Sequence, residues 1–137
     1  MGKKKSPFRC LVKSEEGIRN FRSKYRIPSM VHMRYAAQKE WVDAKQIGEV
    51  VIPMIAFIEG GMTIPMGSIT RSYLSFFRLS PTQCAPNMFR VLGSIDVLNE
   101  RIDLKLTHHD VNCVYNLHHL KGQGYYLRSR SPEVRLI

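Results

Sequence analysis

Apolar positions fall into helical stripes through the middle and second half of the chain and lose their period toward its start. The clearest stripe is Met88, Val91, Leu92, Ile95, Leu98 and Ile102. Its spacing of three and four predicts one long amphipathic helix over Asn87–Arg101. Ahead of it, Ile69, Tyr73, Phe76 and Phe77 form a second apolar face, with Arg71, Ser72, Ser75 and Arg78 opposite. Ser68 is suited to cap that helix. A third, shorter helix is expected from about Ile52 to Glu59. Pro53 fits its first turn, where a missing N–H costs nothing, and Gly60-Gly61 supplies the left-handed stop.

Turn chemistry divides these segments. Ser80-Pro81-Thr82-Gln83 reads as a capping box with Pro at the first helical position, and Pro86 limits it to a single turn. Thr107 and Asp110 form a similar box ahead of a last helix, with Val111, Val114 and Tyr115 on one face and Leu117 off it. His118 and His119 then fall near the helix end, where imidazoles suit the dipole, and Gly122 and Gly124 stop it. Tyr125 to Arg130 alternates as a strand, Pro132-Glu133 forms a turn, and Val134 to Ile137 returns as a partner strand. Nearer the start, Ile27-Pro28 marks a turn, and Met30 to Tyr35 alternates in a way compatible with a short strand. Trp41 to Gly48 is a loop or a helical turn. The expected fold class is mainly α: a small helical domain with a few short strands, a C-terminal β-hairpin being one option. Residues 1–26 are expected to be a basic, weakly ordered arm, and 27–137 the helical domain.

Charge sharpens this division. The net charge of the 137-residue chain is +10. Residues 1–35 hold ten Lys and Arg against two acids, 36–120 seven against eight, and 121–137 four against one. A near-neutral body therefore lies between two basic ends, the usual electrostatic footprint for a phosphate backbone. The candidate nucleic-acid contacts are Lys3, Lys4, Lys5, Arg9, Lys13, Arg19, Arg22, Lys24, Arg26, Arg128 and Arg130. Tyr125 and Tyr126, between Lys121 and Arg128, could stack bases. A core strand with alternating exposed arginines is the preferred reading of that segment.

Other chemistry is thin. Cys10, Cys84 and Cys113 are odd in number and form no CxxC, which argues for a reducing compartment rather than a disulfide scaffold. His109 and Cys113 stand at i and i+4 and could share a metal, but a third ligand from His118 or His119 would require the helix to bend. The same pair is a nucleophile and base only in outline, because no group is in place to orient the base. Carboxylates are sparse, and Gly60-Gly61-Met62 lacks the GK[ST] of a phosphate loop. No enzyme, cofactor or metal is expected. No apolar run approaches the ~20 residues of a membrane helix. Met1-Gly2 with Ser6 matches the outline of a myristoylation site, and Lys3-Lys4-Lys5 that of a nuclear-import signal. A plain charged tail is preferred to either, and the expected location is nucleus or cytoplasm.

Three segments, GEVVIPMIAFIEGGMTIPM, SYLSFFRLSPTQCAPNMFRVLGSIDVLN and GYYLRSRS, carry a resemblance. Together they look like the plant gypsy-type transposon domain, a retrotransposon-derived, gag-like family. The residues concerned are Glu49-Val50, Phe76-Phe77, the stretch Leu79 to Asn87, Arg90, and Tyr125 to Arg130. The likeness spans Ile27 to Ile137. The chain departs from the family pattern at Ile52-Pro53 and at Gly60-Gly61-Met62, where the family usually has Ala-Gly-Leu. The resemblance implies plant origin, mobile-element ancestry, no catalytic residues, and a chain that continues beyond Ile137. The expected function is a non-enzymatic module that binds nucleic acid through its basic ends or self-associates. The alternative is a protein-interaction domain without a nucleic-acid role.

Overall fold

The computed structural model describes residues 11–36 and 49–131. In chain order these form α1 (Glu15–Lys24), α2 (Met54–Ile58), α3 (Ser68–Phe77), a 3-10 turn (Pro81–Gln83), α4 (Pro86–Ile102), α5 (His108–Val114), β1 (Tyr115–Leu120) and β2 (Gly124–Ser129). The mainly helical expectation stands at that level, with an antiparallel two-stranded sheet added. Among the described residues no helix is long and apolar enough to cross a membrane.

The centre is α4. Met88, Leu92 and Ile95 are wholly buried, and Phe89 joins them. Around them pack Ile69, Tyr73 and Leu74 of α3, Ala56 and Phe57 of α2, Val111 of α5, and Tyr115 and Leu127 of the hairpin. Ile102, at the end of the same sequence stripe, is 60% exposed, so the stripe outruns the core. Pro86 does not end a preceding turn but opens α4 at its first position, where no N–H is needed.

Polar side chains of α4 tie three other segments to it through their backbones. Asp96 accepts from the N–H of Ile69 (2.8 Å) and of Thr70 (3.2 Å), and from the Thr70 hydroxyl (2.7 Å). It thereby caps α3 from a distance, and the N-cap residue proves to be Gly67 rather than Ser68. A Cβ at Gly67 would overlap the Asp96 carboxylate, which accounts for glycine there. Asn99 donates to the Leu106 carbonyl and accepts from the Leu106 N–H, both at 2.9 Å, and holds the segment leading into α5. Asn87 does the same for Leu127 in β2, donating at 2.8 Å and accepting at 3.1 Å.

The expectations for the last helix, its histidines and the alternating stretch at 30–35 are corrected. The last helix ends at Val114 instead of running to Gly122, and Tyr115–Leu120 is a strand. Leu117, off the helical stripe, is directly opposite Leu127 in the sheet, so the period there is two. His118 and His119 therefore lie on a strand, not at a helix end. The partner of β2 is β1; Val134–Ile137 and the Pro132-Glu133 turn lie outside the described residues, as does Trp41–Gly48. The alternating stretch before residue 36 forms no strand among residues 31–36. Within the segment expected as a weakly ordered arm, Glu15–Lys24 is helical, capped by the Ser14 hydroxyl accepting from the Gly17 N–H (3.0 Å). Glu15 and Glu16 in its first turn, and Arg22 and Lys24 in its last, complement the helix dipole.

Candidate nucleic-acid interface

The candidate basic residues separate into three groups. Lys3, Lys4, Lys5 and Arg9 lie outside the described residues. Lys13 is exposed just before α1, and Arg19, Lys24 and Arg26 are exposed on α1 and the turn that follows it. Arg22 is half-buried, and its Nη1 donates to the Pro28 carbonyl at 2.9 Å, so it serves the fold. Phe21 anchors the helix, meeting Phe57 edge-on at 5.3 Å and Tyr25 at 4.6 Å. The Lys24 ammonium sits 5.6 Å from the Tyr25 ring centre, within cation–π range.

Arg128 and Arg130 form the third group. No hydrogen bond or ion pair among the described residues joins them to α1. Strand alternation places Tyr115, Leu117, His119, Tyr125 and Leu127 on the inner face of the hairpin. The outer face carries Asn116, His118, Leu120, Tyr126 and Arg128. Across it His118 stacks on Tyr126, 5.6 Å between ring centres with 26° between planes. Arg128 is exposed beside that pair. Tyr125 and Tyr126 therefore do not form one stacking platform: Tyr125 lies on the opposite face of the strand, 4.6 Å from the ring of the exposed His119. Arg130 is exposed, but its Nε donates to the Asn112 carbonyl at 2.7 Å, which fixes the guanidinium against the end of α5.

Gly124 permits this hairpin. Its φ is +85°, and a Cβ there would run into the Gln83 carbonyl. The chain at Cys84-Ala85 thus lies close along β2, and the Ala85 N–H donates to the Tyr125 carbonyl at 2.8 Å.

The remaining reactive groups are sorted by burial. Cys84 is buried, its thiol donates to the Ser80 carbonyl, and burial pushes its pKa up to about 12. It is therefore a thiol, not a thiolate, at neutral pH, and a poor nucleophile. The Tyr73 phenol is likewise raised to about 12, mainly by burial, with Cys84 adding to the shift and Arg130 opposing it. Its hydroxyl has no hydrogen-bond partner among the described residues. Cys113 is exposed. His108 and His109 sit side by side at the start of α5, 4.0 Å between ring centres, against Phe76. No three side chains capable of holding a metal converge among the described residues.

Sequence reasoning missed His118 as a partner of Tyr126. The signal was present in the alternation Tyr115-Asn116-Leu117-His118, but Thr107 and Asp110 announced a helix just upstream, and its extent was overdrawn. The chain matches no protein-family model, no curated protein and no solved structure.

Proposed function

We propose that the protein is a non-enzymatic, retrotransposon-derived, gag-like module that binds single-stranded nucleic acid through its basic ends. The ancestry in this reading rests on the sequence resemblance; its nucleic-acid part is carried by the outer face of the hairpin, where the His118–Tyr126 stack stands beside the exposed Arg128. Aromatic rings next to a guanidinium offer a base a stacking surface and its phosphate a counter-charge, and this works for any sequence. Exposed Arg19 and Lys24 on α1, and Arg26 in the turn after it, add phosphate contacts of the non-specific kind.

The test is fluorescence anisotropy with single-stranded RNA and duplex DNA at two salt concentrations. Neutralising about six phosphates lowers affinity ~10³-fold between roughly 50 and 200 mM salt. Tyr126→Ala is expected to weaken single-strand binding several-fold and to leave duplex binding unchanged. Weak binding, independent of salt, to both ligands would remove this reading and leave the protein-interaction alternative.

A further inference from the structure

The two edges of the hairpin are not equivalent. The outer edge of β2 is filled, because the Tyr125 carbonyl accepts from Ala85 and both backbone groups of Leu127 bond to the Asn87 amide. Tyr125 and Leu127 thus turn their polar groups away from β1. In an antiparallel ladder their cross-strand partners, His119 and Leu117, must then turn theirs away from β2. Among the described residues no hydrogen bond reaches the outward N–H and C=O groups of Leu117 or His119.

Exposed edges are normally guarded by a charge, a proline or a bulge. Tyr115–Leu120 has no Lys, Arg, Asp, Glu or Pro, and its register with β2 runs unbroken from Tyr115 to Leu120. In a chain of net charge +10, this strand itself presents no Lys or Arg to repel a second copy.

We infer that the open edge of β1 pairs antiparallel with the same edge of a second copy, joining two hairpins into a four-stranded sheet. The register follows from which groups are free. Leu117 pairs with His119 of the second copy and the reverse, giving four backbone hydrogen bonds. The two-fold axis then passes between the two His118 residues, which face each other at a close, non-hydrogen-bonded position with Cα atoms ~4.5 Å apart. Asn116 comes opposite Leu120 of the second copy, against a side chain that is 47% exposed in the monomer. The outer face of the joined sheet carries both His118–Tyr126 stacks side by side. The inference goes beyond the nucleic-acid reading and does not need it.

Sedimentation equilibrium of the full chain, free of nucleic acid, from low micromolar to several hundred micromolar, tests it. The wild type is expected to dimerise reversibly. His118→Lys places two ammonium groups opposite each other at the axis and alters only the outer face of the monomer. His119→Pro removes an outward N–H that has no partner in the monomer. Each should weaken dimerisation roughly tenfold or more, about 1.4 kcal/mol, with the circular dichroism spectrum unchanged. Should His119→Pro fail to fold, His118→Lys alone decides. A wild type that stays monomeric throughout, or a dimer that the folded variants leave intact, overturns the inference. Either result leaves the anisotropy experiment unaffected.

Discussion

Helices α1 and α4 carry similar polar residues and use them differently. On α1, Ser14 caps its own helix, Arg19 is exposed, and the exposed Lys24 meets only the ring of its neighbour Tyr25. Only Arg22 reaches further, to Pro28, and that carbonyl is six residues away. On α4, Asp96, Asn99 and Asn87 each hold the backbone of a different segment, at Ile69-Thr70, Leu106 and Leu127. The contrast follows from position. A helix at the centre is surrounded by segments whose backbone groups are shielded from water, and each such group needs a partner. A helix at the periphery has water as its partner. The polar residues of α4 are therefore expected to govern stability, and those of α1 to govern what the surface can bind.

The contrast breaks first at Asp96 if it is wrong. Asp96→Ala removes three acceptor contacts, two of them to the otherwise uncapped first turn of α3, and leaves the buried Thr70 hydroxyl without its acceptor. A loss of about 3 kcal/mol is expected by urea denaturation, since hydrogen bonds to a charged acceptor are the strong ones. A loss under about 1 kcal/mol would place Asp96 with the surface residues. Asn87→Ala comes next, at about 2 kcal/mol, because it strands the N–H and C=O of Leu127 together. Its distinguishing sign is faster hydrogen exchange at the Leu127 amide, with that of α1 unchanged.

A pH titration sharpens the same comparison. Cys84, two residues before α4, and Tyr73, packed in the core around it, are raised from 9.0 and 10.0 to about 12 by burial. Both are acids that stay protonated longer in the folded state than in the unfolded one. Their contribution is complete below pH 9, and it is lost as pH rises from there toward 12. By pH 10 the Cys84 share is about 1 kcal/mol. Urea midpoints taken from pH 8 to 10.5 should fall for the wild type and stay flatter for Cys84→Ala until Tyr73 begins to titrate. Parallel curves for the two proteins would show that Cys84 is not shielded as the structure has it.

Much of the α4 core was legible in the sequence, because Met88, Leu92 and Ile95 repeat with helical period and bury completely. The boxes at Ser80–Gln83 and Thr107–Asp110 were legible too, since each is a local pattern closing on itself. The clamps of α4 were not. Asn87 and Leu127 are 40 residues apart, and nothing in either residue names the other. β1 was hidden for a related reason. A strand of six residues is stabilised by its pairing, and its partner, β2, names it by no local pattern. On the candidate interface, the sequence identified the basic residues but not their division into free and committed ones. Arg22 and Arg130 donate to backbone carbonyls, while Arg19, Lys24 and Arg128 are exposed.

That division is where the smallest effect on stability is expected. Arg19→Ala and Lys24→Ala remove exposed charges from α1, and each should change stability by no more than about 0.5 kcal/mol. Arg22→Ala, on the same helix, should cost about 1 kcal/mol through the lost bond to Pro28. Binding should order the three the other way. If α1 contacts phosphates, each exposed charge removed should lower the slope of log affinity against log salt by about 1. Arg22→Ala should leave that slope closer to its original value, because its guanidinium is already held by a carbonyl. Equal slopes for all three variants and the wild type would take α1 out of the interface and leave the hairpin face to be tested alone.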